Sequence, residues 1–81
     1  MAEYKYRQDY LYALKNSDNL YYMGYADCSD RITDAFLYKV EFIANQVAED
    51  LNNKKRGLSD KSVKRDFKVV KVEIREIEWK N

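Results

Sequence analysis

Residues 33–56 can be drawn as one helix whose apolar side chains do not stay on one side. At about 100° per residue, Phe36, Val40, Ile43, Ala44, Val47 and Leu51 form a stripe suited to a core, with Leu37 and Ala48 along its flank. Tyr38 and Phe42 fall nearly opposite, one turn apart, among Asn45, Gln46 and Glu49. An aromatic pair on the polar side of a helix predicts contact with something else. The plainer alternative is that the 58–67 connector folds over this side and makes both rings satellite core.

Two segments before the helix read as strands. Residues 4–15 alternate in part, with Tyr10, Tyr12 and Leu14 on one face and Leu11 and Ala13 on the other, and neither face is polar. Asn16-Ser17-Asp18-Asn19 then reads as a hairpin loop, because short polar side chains bond local backbone and Asn tolerates the left-handed conformation. Residues 20–28 resume as a second strand, where Gly24 marks a bulge or a close backbone approach. Thr33 is the favoured N-cap with Asp34 at the positive end of the helix dipole; Lys54, Lys55 and Arg56 suit the far end, and Gly57 suits a left-handed cap. After a basic connector, residues 67–79 alternate again, with Val70, Val72 and Ile74 opposite Lys71, Glu73 and Arg75; Ile77 and Trp79 break parity, which calls for a bulge near Arg75 and Glu76.

The expected fold is therefore α+β: a ββαβ chain, residues 1–81 as a single domain, with a three-stranded sheet in order 2-1-3 packed on one long helix. One helix cannot cover both faces of such a sheet, so apolar and aromatic side chains are left on the face it misses. With only 81 residues the chain has a thin margin of stability, and a homodimer or a partner protein would bury that surface. Tyr21 and Tyr25 of the second strand join Tyr38 and Phe42 as expected partner-binding residues.

Catalysis is poorly supported. Histidine is absent, and two glycines cannot build a phosphate loop. Asp27, Asp30 and Asp34 lie before the helix, where aspartates ordinarily cap and complement the dipole; their spacing does not match a calcium loop, so no metal site is assigned. No cofactor and no small-molecule substrate is evident, and the chain reads as a non-enzyme. Cys28 is the single cysteine, so it forms no internal disulfide and reads as a small hydrophobe in a reducing compartment. No apolar run approaches the roughly 20 residues needed to span a bilayer, and Met1-Ala2-Glu3-Tyr4-Lys5 does not open a secretory signal. The expected location is the cytoplasm.

Charge is uneven: residues 1–53 balance to −4 and residues 54–81 to +5. Lys54, Lys55, Arg56, Lys61, Lys64, Arg65 and Lys68 could follow a phosphate backbone while sheet tyrosines stack on bases, so a nucleic-acid-binding module is the alternative reading. Against it, Phe67-Lys68-Val69-Val70-Lys71-Val72 lacks the glycine and aromatic positions of an RNA-recognition sheet.

The succession Leu20-Tyr21-Tyr22-Met23-Gly24-Tyr25, then Ile32-Thr33-Asp34-Ala35-Phe36, then a Lys/Glu-rich helix and a Val-rich final strand, resembles small accessory proteins of phages and prophages. The resemblance spans residues 10–75 and is one of pattern. It implies a non-enzymatic protein that acts by binding, including inhibition of a host protein. The sequence thus points to a small protein–protein interaction domain that self-associates.

Overall fold

The computed structural model describes residues 9–75. In chain order they form β1 (Asp9–Lys15), β2 (Tyr21–Tyr22), β3 (Cys28–Ser29), a 3-10 turn (Ile32–Asp34), α1 (Glu41–Asn52) and β4 (Lys68–Ile74). The α+β class holds, with one α-helix. The sheet differs from expectation in detail: it has four strands in order β3-β2-β1-β4, all pairs antiparallel. β2 and β4 do flank β1, and the added strand comes from splitting the expected second one. Met23 N–H donates to Asp27 O across a tight turn in which Gly24 takes φ +92°, so the chain reverses there. The close approach expected at Gly24 is present, since a Cβ there would stand 2.9 Å from the Phe36 ring.

The helix is the larger correction. It begins at Glu41 and ends at Asn52, so Thr33 is not its N-cap, and Tyr38 lies outside it. The reason is competition from the sheet. Tyr38 exchanges both backbone hydrogen bonds with Tyr12, each at 2.8 Å, and Phe36 N–H donates to Tyr22 O. Those bonds hold residues 36–38 extended, where bulky aromatics sit comfortably. The core stripe shortens accordingly: Ala44, Val47, Ala48 and Leu51 are buried, while Phe36, Val40 and Ile43 are about half exposed. These four helix residues close on Leu14, Tyr22, Leu58 and Phe67, with Tyr12, Tyr38, Val63, Val69 and Cys28 packed around them.

The helix end also departs from expectation. Lys54 N–H donates to Leu51 O and Lys55 N–H to Asp50 O, the paired bonds of a Schellman motif, and the left-handed position is taken by Lys54 at φ +61° rather than by Gly57. Arg65 adds a cap from the connector: its Nη1 donates to Leu51 O and to Arg56 O, both at 2.8 Å.

Two amides tie the loops down. Asn16 is buried; its Oδ1 accepts from Asp18 N–H and Leu20 N–H, and its Nδ2 donates to Lys64 O at 3.0 Å. This joins the expected hairpin loop, where Asn19 is left-handed at φ 63°, to the connector. The expected bulge near Arg75 and Glu76, with Ile77 and Trp79, falls largely outside the described residues, as does the start of the first strand.

Two substitutions test these points by thermal unfolding. Lys54→Gly removes the Cβ penalty at a left-handed position and should stabilise the chain by about 1 kcal/mol. Asn16→Ala leaves backbone groups of the loop without partners and should destabilise by about 2 kcal/mol.

Candidate interaction surface

Strand parity settles which backbone groups of β4 face outward. Because Tyr12 turns its N–H and C=O toward Tyr38, its neighbours Leu11 and Ala13 turn theirs toward β4, where they lie opposite Val72 and Val70. Lys71 and Val69, opposite Tyr12 and Leu14, therefore turn their backbone groups away from β1. β4 is an edge strand in the sheet order, so these groups face no neighbouring strand among the described residues.

The next outward position, Phe67, is closed by a side chain. Asn52 Oδ1 accepts from Phe67 N–H at 2.8 Å, and its Nδ2 donates to Phe67 O at 3.0 Å, reproducing the bonds of a neighbouring strand. Among the described residues, Val69 and Lys71 are the next outward positions, and no described strand pairs with them. Beside this edge runs a groove of about 390 Å³ between α1 and β4, bordered by Phe42, Asn45, Glu49, Asn52, Phe67 and Val69. Phe42 stands at this groove with 73% of its surface exposed. The opposite sheet face carries Leu11, Val70, Val72 and Ile74, none of which joins the core cluster, together with Ala13, which is fully buried.

The four expected partner-binding residues separate. Phe42 is exposed and on α1, as expected. Tyr38 is not its helical neighbour: it is half buried against the core, with its ring edge-on to Phe36 at 4.7 Å. Burial pushes the Tyr38 phenol above its usual range, with Tyr22 adding to the rise and Arg56 opposing it. Tyr25 is 73% exposed at the β2–β3 turn. Tyr21 is half buried on β2 with the Lys15 ammonium over its ring at 5.3 Å. No ring contact joins any two of the four among the described residues.

The basic tract is partly consumed by the fold. Arg65 caps the helix end, Arg56 pairs with Asp50 at 3.6 Å, and Lys64 pairs with Asp18 at 3.8 Å. Lys54, Lys55, Lys61 and Lys68 are exposed, with the first two holding the Schellman turn through their backbone. The acidic groups before the helix are likewise used locally: Asp34 Oδ2 accepts from Ser29 Oγ at 2.7 Å and lies 3.8 Å from Arg31 Nε. Among the described residues no group of three acidic, Cys or His side chains is placed to hold a metal ion. Cys28 is half buried, and burial first, then the Asp27 and Asp60 carboxylates, push its thiol up against the opposing pull of Arg65. Hydrogen bonds from Ser62 hold the Asp60 carboxyl below its usual range, and bonds from Ser17 do the same for Asp66.

Sequence reasoning missed Asn52, Val69 and Lys71. The order 2-1-3 already made the last strand an edge, but which of its residues face outward depends on the Tyr12–Tyr38 bridge, which the long-helix reading excluded. No family model, curated protein or solved structure was found to match the chain. No helix among the described residues is long and apolar enough to cross a membrane.

Tyr38 and Phe42 now have opposite expected phenotypes. Tyr38→Ala should lower stability by about 2 kcal/mol, since half of a large ring leaves packed surroundings. Phe42→Ser should change the unfolding free energy by less than about 0.5 kcal/mol. Chemical denaturation of the two single variants separates them.

Proposed function

We propose that this chain is a protein–protein interaction domain that acts by binding rather than by catalysis, with self-association as its baseline. The observation that carries the reading is the coincidence of a strand edge at Val69 and Lys71, unpaired among the described residues, with a groove overhung by an exposed Phe42. Main-chain groups on such an edge supply affinity to an added strand, and neighbouring side chains supply selectivity. Unpaired edges are ordinarily blocked or covered. The apolar face of Leu11, Val70, Val72 and Ile74 adds surface that one helix does not reach. The resemblance to phage accessory proteins is compatible with such a role, and inhibition of a host protein by binding is the form it would take.

The phosphate-binding alternative is less favoured, because the Arg65 guanidinium caps the helix end and Arg56 and Lys64 each already pair with a surface carboxylate. Gel shift at low salt, where phosphate contacts are strongest, tests it directly.

Light scattering over a concentration series is the test of self-association. The expected result is a mass of two chains at micromolar concentration. Phe42→Ser should weaken association by about tenfold or more, equivalent to about 1.4 kcal/mol. A single-chain mass at every concentration would overturn self-association.

A further inference from the structure

We propose that residues 35–40 are a strap poised between two conformations: the extended one held by the Tyr12–Tyr38 bridge, and a minor helical one in which α1 runs back to Asp34. In the extended state the strap is wedged between β1 and β2. Among the described residues those strands pair at Lys15 and Tyr21 alone. Beyond that point Phe36 N–H donates to Tyr22 O, and Tyr38 exchanges two bonds with Tyr12. Three backbone hydrogen bonds therefore hold the strap to the sheet.

Each end of the strap is an unfinished helix end. The N-cap of α1 is Val40, one of the poorest capping types, with no side-chain cap hydrogen bond among the described residues. Upstream, Ile32–Asp34 already forms a 3-10 turn closed by Ala35 N–H on Ile32 O, and Thr33 ahead of Asp34 is a suitable cap for a longer helix. Only residues 35–40 separate the two helical pieces. The extended state also serves their apolar side chains poorly: Phe36 and Val40, with Ile43 in the first turn of α1, stay about half exposed. At about 100° per residue all three would join the stripe of Val47 and Leu51.

The bonds given up on release have replacements. A helix from Asp34 supplies intrahelical partners to the backbone of the strap. The β1–β2 register, carried on from Lys15 and Tyr21, sets Tyr12 opposite Gly24, so closing that hairpin re-pairs the Tyr12 groups. Gly24, now at φ +92°, is free to take either backbone state. Release also moves Tyr38 out of the core surroundings to one turn before Phe42, on the outer side of the helix. The strap thus governs whether α1 presents one exposed aromatic ring or two.

Native-state hydrogen exchange on the full chain reads the strap. The Tyr12, Phe36 and Tyr38 amides should exchange at least about tenfold faster than those of Ala13 and Val70 in the β1–β4 ladder, through an opening insensitive to low denaturant. Val40→Ala favours the helical state by propensity and should speed Tyr12 and Tyr38 exchange a further threefold or so, leaving Ala13 unchanged. Tyr38→Ala with Val40→Ala also removes the anchoring ring. It should lengthen the helix from 12 residues to about 19 and raise the far-UV helical signal by about half. Adding Lys39→Pro, which an extended strap accepts and a helix interior does not, should abolish that gain. Strap amides that exchange in step with Ala13 and Val70 would overturn the proposal. So would a folded double variant with no added helix, or a gain that survives Lys39→Pro. If the double variant does not fold, the exchange of Val40→Ala decides, and an unchanged Tyr38 rate rejects the helical state.

Discussion

The reciprocal backbone bonds between Tyr12 and Tyr38 organise the rest of the molecule. They pull residues 36–38 out of the helix, so α1 starts only at Glu41 and buries a short stripe of Ala44, Val47, Ala48 and Leu51. They also fix the parity of β1. Once Tyr12 faces Tyr38, the alternation of an antiparallel ladder decides every outward group on β4. A bridge between β1 and Tyr38, a residue in no strand of its own, thus determines both the length of the helix and the outward groups of a sheet edge about 30 residues further along the chain.

Much of the closure is done by amide side chains standing in for strands. Asn16 binds the hairpin loop and the connector together, and Asn52 gives Phe67 the two bonds that a neighbouring strand would give. Both economise on chain length in a small domain, where long strands and a wide core are not available. The cationic connector plays a related part. Arg65 reaches back to the last carbonyls of α1 and to Arg56 O, complementing the negative end of the helix dipole with charge as well as hydrogen bonds. Of the basic residues that suggest a phosphate tract in the sequence, Arg65 is in this way committed to the fold, while Arg56 and Lys64 form surface ion pairs with Asp50 and Asp18.

Local signals were legible where local chemistry decides. The Asn16–Asn19 loop, the left-handed Asn19, the close approach at Gly24, and the pairing of β1 with both β2 and β4 all follow from residue type and alternation. The helix start was not legible, because the stretch from Ile32 to Val40 satisfies helical spacing and extended pairing alike; only the distant partner Tyr12 chooses between them. The same choice separated Tyr38 from Phe42. Phe42 keeps the exposed position that helical spacing gives it, whereas Tyr38 becomes half-buried packing. The Schellman turn at Lys54 was hidden for a different reason: glycine preference pointed to Gly57, but the helix stops earlier, where Arg65 and the turn satisfy its carbonyls.

The limited extent of the β4 edge has its own consequence. A long unpaired edge can recruit strand after strand without closing, the route to fibres. Here Asn52 closes the edge at Phe67, and the outward positions that follow are Val69, Lys71 and Glu73, two of them charged. Lys71 penalises any strand pairing that sets it against its own equivalent. At the other end of the sheet order stands β3, only two residues long, and so short a strand offers little ladder to another chain. Closure by Asn52, charge at the outward positions and a short strand at the far side thus each limit open-ended strand addition to a sheet this small.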